Sequence, residues 1–148
     1  MDQMVLFGRI LYSAVFLVSV PAHFTEGTIQ YGASQGVPMA GFFVPLAGIV
    51  ALLGGLSILI GYKAKEGAWL IVLFLAPVTL MVHHFWNIAD PAAAAVHQVH
   101  FVKNLSLLGA ALLISYFGSG PMSLEGWAKR RSRERHGTKM IDLTSRRR

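Results

Sequence analysis

Two cations stand where cations are rare. Lys103 interrupts an apolar run from about Val96 to Phe117, and Arg9 interrupts another from about Val5 to Phe24. A charge at bilayer depth costs at least about 2.5–3.5 kcal/mol on insertion scales. Such a group either extends its stem to the headgroups or meets a polar partner inside the protein. Lys103 has company. His97, His100, Lys103 and Asn104 recur three and four residues apart, so they form one polar stripe over about two helical turns. An ammonium beside imidazoles suits an electron-rich guest: a quinone carbonyl, a sulfur oxyanion or a lipid phosphate. Imidazole can also relay a proton near working pH. Imidazoles suit transition metals as well. The spacing argues against that use, because adjacent His83 and His84 diverge by about 100° on a helix. No carboxylate lies at ligand spacing on the same helix, so no metal is assigned.

These side chains need elements to carry them. Of the 148 residues, 54% are hydrophobic, only 14% are charged, and none is cysteine. Ordinary soluble domains carry about 25% charged residues. The composition excludes a disordered chain and thiol chemistry, and it points to a membrane protein. Four apolar segments, about 5–24, 38–62, 67–86 and 96–117, each have the roughly 20 residues that cross a ~30 Å hydrocarbon core. Backbone groups in lipid must bond within their own segment, so the segments are helices. The expected fold is all-α: an antiparallel bundle of four transmembrane helices in residues 1–122, then a basic tail in 123–148. A cleaved signal peptide is the rival reading of the first segment. Its length, the embedded Arg9 and the acidic Asp2 favour a retained helix.

The punctuation agrees. Residues 32–38 read as a connecting loop with a short membrane-surface stretch, and 61–67 as a tight polar turn. Asp90 reads as an N-cap, with Pro91 at the first helical position. Pro77 should kink the third helix and free carbonyls near Leu73. Ala47, Ala51 and Gly55 recur every four residues, as small residues do where helices approach closely. Trp69, Trp86 and Trp127 read as interfacial anchors.

The net charge of +6 is concentrated at one end. Residues 128–148 hold nine of the thirteen basic residues and two acids. No nucleic-acid fold accompanies them, and no basic face interleaved with stacking aromatics, so nucleic acid is not an expected partner. The tail should form a short interfacial helix from about Ser123 to His136, then disorder. Four helices put both termini and the Lys63/Lys65 turn on one side, together with twelve of the basic residues. By the positive-inside rule that side is cytoplasmic. Folding the helices antiparallel then gathers His23, His83, His84, His97, His100, Glu26 and Asp90 at the outer end. The expected site is one shared outer pocket lined by His23, His83, His100, Lys103 and Asn104, with His97 at its rim. Arg9, near the inner face, is read as a structural or lipid-facing cation.

Several stretches together resemble the DoxX family. They are Val37-Pro38-Met39-Ala40-Gly41, Val44-Pro45-Leu46-Ala47-Gly48-Ile49, and Leu53-Gly54-Gly55-Leu56 leading to Gly61-Tyr62-Lys63. His83-His84-Phe85-Trp86, Phe101-Val102-Lys103-Asn104-Leu105 and Gly120-Pro121-Met122-Ser123-Leu124 extend the likeness over about residues 5–125. The resemblance implies four helices in a bacterial inner membrane and an association with redox systems: a subunit of thiosulfate:quinone oxidoreductase, or a membrane component of an oxidative-stress complex. The family often has an acid just before the Leu-Gly-Gly run; Ala51 stands there in this chain.

The resulting expectation is an accessory or quinone-contacting subunit of a redox system, not an independent enzyme. Quinone is the one cofactor suggested. Expected partners are the bilayer, a membrane or soluble oxidoreductase, and further copies of the chain. The rival functions are a small-molecule or ion permease and a membrane scaffold for partner proteins.

Overall fold

A computed structural model describes residues 2–133. Every regular element among the described residues is a helix, and none is a strand. Helix α1 (Asp2–Ser19) continues as a 3-10 turn at Val20–Phe24, and α2 (Glu26–Ser34) follows. Next come α3 (Ala40–Ile60) and α4 (Ala64–Pro77), which runs on as a π-helical turn at Val78–Val82. After a 3-10 turn at Phe85–Asn87 come α5 (Pro91–Phe117) and a final helix, α6, over residues 124–133. Asp2–Phe24, Ala40–Ile60, Ala64–Asn87 and Pro91–Phe117 are each long and apolar enough to cross a membrane. The protein is an all-α polytopic membrane protein, and its solvent is the bilayer.

The spans pack in chain order, α3 lying between α1 and α4, and α4 between α3 and α5. Small residues set the approach. A Cβ on Gly54 would stand 2.8 Å from Ile71 Cδ1 and 2.9 Å from the Gly67 carbonyl. Neither helix could come so close with larger side chains. Gly55 likewise receives Leu17 and Phe16 of α1. The core is Tyr12, Phe16, Ala51, Ile58, Ile71 and Leu75, with Ala111 from α5. Tyr12 closes the bundle, its hydroxyl donating to the Leu107 carbonyl of α5 at 3.0 Å.

The elements depart from the expected ones in two places. The connection between the first two spans, expected as loop, contains α2, begun by Thr25, whose Oγ1 accepts from the Thr28 N–H at 3.4 Å. A side-chain acceptor on an otherwise orphan donor is what starts a helix. Pro77 does more than bend α4. It has no N–H to give the Leu73 carbonyl, and the next turn widens to a π-helix. Thr79 Oγ1 donates to the Leu75 carbonyl at 2.6 Å within that turn. The last helix extends the apolar segment of about 96–117 back to Pro91, the first helical position read from Asp90-Pro91, because the Asp90 carboxylate accepts from Ala93 N–H at 2.8 Å. Of the interfacial helix expected over 123–136, residues 124–133 are helical; the rest of the tail lies outside the described residues.

Candidate functional site

The end of the bundle remote from the two termini carries an imidazole cluster. His83 follows the π-turn, and His97 and His100 lie on the first turns of α5. The rings of His83 and His100 are stacked, with centroids 5.1 Å apart and planes at 22°. His97 stands edge-on to His83 at 5.5 Å. Lys103 is on the exposed side of α5, and its Nζ turns back to within 3.4 Å of His100 Nδ1. Tyr31 of α2 completes the group, its hydroxyl 3.5 Å from His97 Nε2.

The hydrogen bonds fix the tautomers. An ammonium only donates, so His100 Nδ1 accepts from Lys103 and its proton sits on Nε2. His97 Nδ1 faces the Val82 carbonyl at 3.1 Å and must donate to it. His97 Nε2 therefore accepts from the Tyr31 hydroxyl. His83 Nδ1 is buried and has no partner among the described residues. The cluster thus presents His100 Nε2–H, the spare N–H groups of Lys103 and the orphan His83 nitrogen. That is a set suited to a guest bearing carbonyl or anionic oxygen. Among the described residues, no group of three or more His, Cys, Asp or Glu is arranged to hold a metal ion.

Two expected members lie elsewhere. His23 packs over Gly48, where a Cβ would meet its own Cβ at 2.6 Å, and stands edge-on to Phe74 at 5.6 Å. Its Nδ1 is 2.9 Å from the Ser19 carbonyl, and it makes no ring contact or hydrogen bond with the other histidines. The 3-10 turn that ends the first span swings it against α3. Asn104 is only 4% exposed, and no hydrogen bond joins it to the cluster. It lies one residue beyond Lys103, so it is turned about 100° around the helix. His84 bonds the Met81 carbonyl through Nδ1 at 2.6 Å and stands beside Trp86. Conversely, His97 is a central member rather than a rim residue. Tyr31 escapes a sequence reading that treats its surroundings as loop; the Thr25-x-x-Thr28 cap is the available signal.

Arg9 is not a lipid-facing cation. It is 4% exposed, and its Nη2 donates to the Met122 carbonyl at 2.5 Å. Nε and Nη1 are buried without partners, and Arg9 forms no ion pair among the described residues. Nη1 lies against Gly61, where a Cβ would overlap it. Its stem runs into the protein, because the chain after α5 folds back over the end of the bundle where α1 begins and offers a carbonyl. That loop takes positive φ at Gly118, Gly120 and Met122, with values of 81°, 66° and 53°. Glu125 fastens it. Its carboxylate accepts from Lys63 N–H at 2.8 Å and Ser119 Oγ at 2.9 Å, and its own N–H donates to the Gly61 carbonyl at 3.2 Å.

Comparison with known proteins gives a consistent set. A family model described as DoxX matches residues 4–84. The chain is 34% identical over 126 residues to the inner membrane protein YqjF of Escherichia coli K12, covering 84% of this chain and 91% of that protein. It is 29% identical over 100 residues to the inner membrane protein YphA of the same organism, covering 68% and 71%. No solved structure matches the chain.

Proposed function

The chain belongs to the DoxX family, and from that premise we propose that it is a quinone-contacting accessory subunit of a membrane redox system, with both termini in the cytoplasm. It is a multi-pass protein of the bacterial inner membrane. The observation that carries the redox reading is the outer cluster: His83 stacked on His100, His100 bonded to Lys103, and His83 Nδ1 buried without a partner.

The donor set fits a quinone headgroup. Lys103 and His100 Nε2–H donate to a carbonyl oxygen, and the stacked imidazoles offer a flat face to a flat ring. His97 holds the π-turn to α5 through the Val82 carbonyl, which positions His83. Tyr31 anchors His97 from outside. A bound quinone would supply two-electron carriage. The chain's own residues bind it, orient it and hold protons beside its oxygens. A partner oxidoreductase would complete the system by exchanging electrons with the bound carrier.

The test is purification in mild detergent followed by extraction and titration of quinone. Co-purifying quinone that Lys103→Met depletes, with the fold intact, supports the reading. Solute flux in liposomes without quinone binding would favour a permease. Capture of an oxidoreductase with neither would favour a scaffold.

A further inference from the structure

We infer that α6, residues 124–133, is a docking surface for anionic phospholipid headgroups, held rigidly to the inner end of the bundle. The observations are independent of the outer cluster and do not rest on the quinone reading.

The helix is amphipathic. Leu124 and Trp127 are three residues apart and share a face, exposed at 50% and 55%. Arg131, four residues after Trp127, lies over its indole ring, with Cζ 5.0 Å from the ring centroid. Lys129, Arg130 and Arg133 are exposed, and no ion pair engages them among the described residues. The helix has one acid in its described length, Glu125, and that carboxylate is turned into the Lys63 and Ser119 contacts. The outward surface therefore pairs an aromatic anchor with four cations.

Position selects the occupant. Glu125 N–H bonds the Gly61 carbonyl, and Arg9 bonds the Met122 carbonyl two residues before the helix starts. The helix thus begins at the level where α1 and the α3–α4 turn leave the hydrocarbon. Headgroups are what this surface meets there. Trp seats itself at that depth, and a flanking Arg keeps its head among phosphates while its stem covers the ring. Each cation near an anionic surface contributes a partition factor of about fivefold. The basic charge thus acts from a fixed position, because the loop that carries it follows α5 and is bonded to the first span and to the α3–α4 turn.

The experiment uses the full chain in neutral detergent. Short-chain phosphatidylglycerol, short-chain phosphatidylcholine and inorganic phosphate are titrated separately, and Trp127 emission is followed as the difference from Trp127→Phe. Phosphatidylglycerol should blue-shift the emission at a concentration at least about tenfold lower than phosphatidylcholine. Replacing Lys129, Arg130, Arg131 and Arg133 together by Gln should abolish that preference while thermal unfolding of the bundle stays unchanged. Equal response to both lipids, full response to phosphate alone, or a preference that survives the fourfold replacement would each overturn the proposal.

Discussion

Arg9 Nη2 donates to the carbonyl of Met122, across 113 residues of sequence. The bond joins the first span to the loop that follows the last. Gly61, the left-handed residue closing α3, forms the wall against which the guanidinium lies. First span, α3–α4 turn and C-terminal loop are therefore one assembly at one end of the bundle.

Gly61→Ala should be strongly destabilising. An added Cβ would overlap Arg9 Nη1 and Ser123 Cβ, and φ is +70°. Overpacking and the left-handed conformation together should cost about 2–4 kcal/mol. Gly27→Ala is the control, since nothing lies within 4 Å of its Cβ position. Thermal unfolding in detergent should separate the two; equal midpoints would mean that the guanidinium is not held there.

Glu125→Ala should loosen the C-terminal helix without unfolding the bundle. The carboxylate takes two hydrogen bonds, from Lys63 N–H and Ser119 Oγ, and losing them should cost about 1–3 kcal/mol. Trypsin should then cut at Lys129 about tenfold faster, while the spans stay protected. A bundle that melts as one unit with this variant would show that the loop is part of the core.

The spans were legible because lipid imposes a length and forbids unpaired backbone, so hydropathy alone marks them. The start of α5 was legible too, since Asp90 and Pro91 are local signals. The closure at Arg9 was not. Its partner is a backbone carbonyl, which has no residue identity to read, and it is 113 residues distant. The histidine cluster was half legible. The stripe of His97, His100 and Lys103 follows from helical spacing. His83 meets it only because Pro77 opens a π-turn, and Tyr31 meets it only because α2 folds as a helix. Both depend on backbone geometry that periodicity does not encode.

Pro77→Ala should therefore move His83. With the N–H restored, Leu73 regains its partner and Val78–Val82 can relax to a regular helix. Removing the π-turn would rotate His83 by about 100° relative to α5. The natural chain has no cysteine, so Cys placed at 83 and 100 can be bridged by a short bis-thiol reagent. Bridging should be fast with the native proline and slow in the Pro77→Ala background. Equal rates would mean that the proline does not set the cluster.

The chain's orientation has a direct check. Arg9 with Met122, and Lys63 with Glu125, place both ends of the described chain and the α3–α4 turn at one end of the bundle. Of the eight basic residues in the described chain, all but Lys103 belong to that end, so it should be cytoplasmic. A reporter fused after residue 148 should be active only in its cytoplasmic form.

The cluster of His83, His97, His100, Lys103 and Tyr31 and the pocket expected from sequence predict different binding profiles. His100→Phe keeps a ring against His83 but removes the nitrogens. Lys103→Met keeps the stem but removes the charge. Each deletes one donor toward a carbonyl oxygen, and a charge-assisted hydrogen bond is worth about 1.5–3 kcal/mol. Quinone affinity should fall about tenfold or more in each, and less than additively in the pair, because Lys103 fixes the His100 tautomer. His23→Gln should leave affinity within about twofold, since His23 sits over Gly48 beside Phe74 and touches none of the cluster. The measurement is quinone titration of the three single variants and the double variant in one detergent. Loss of binding with His23→Gln as large as with His100→Phe would restore the wider pocket. Retained binding in the Lys103→Met and His100→Phe double variant would remove the cluster from quinone recognition altogether.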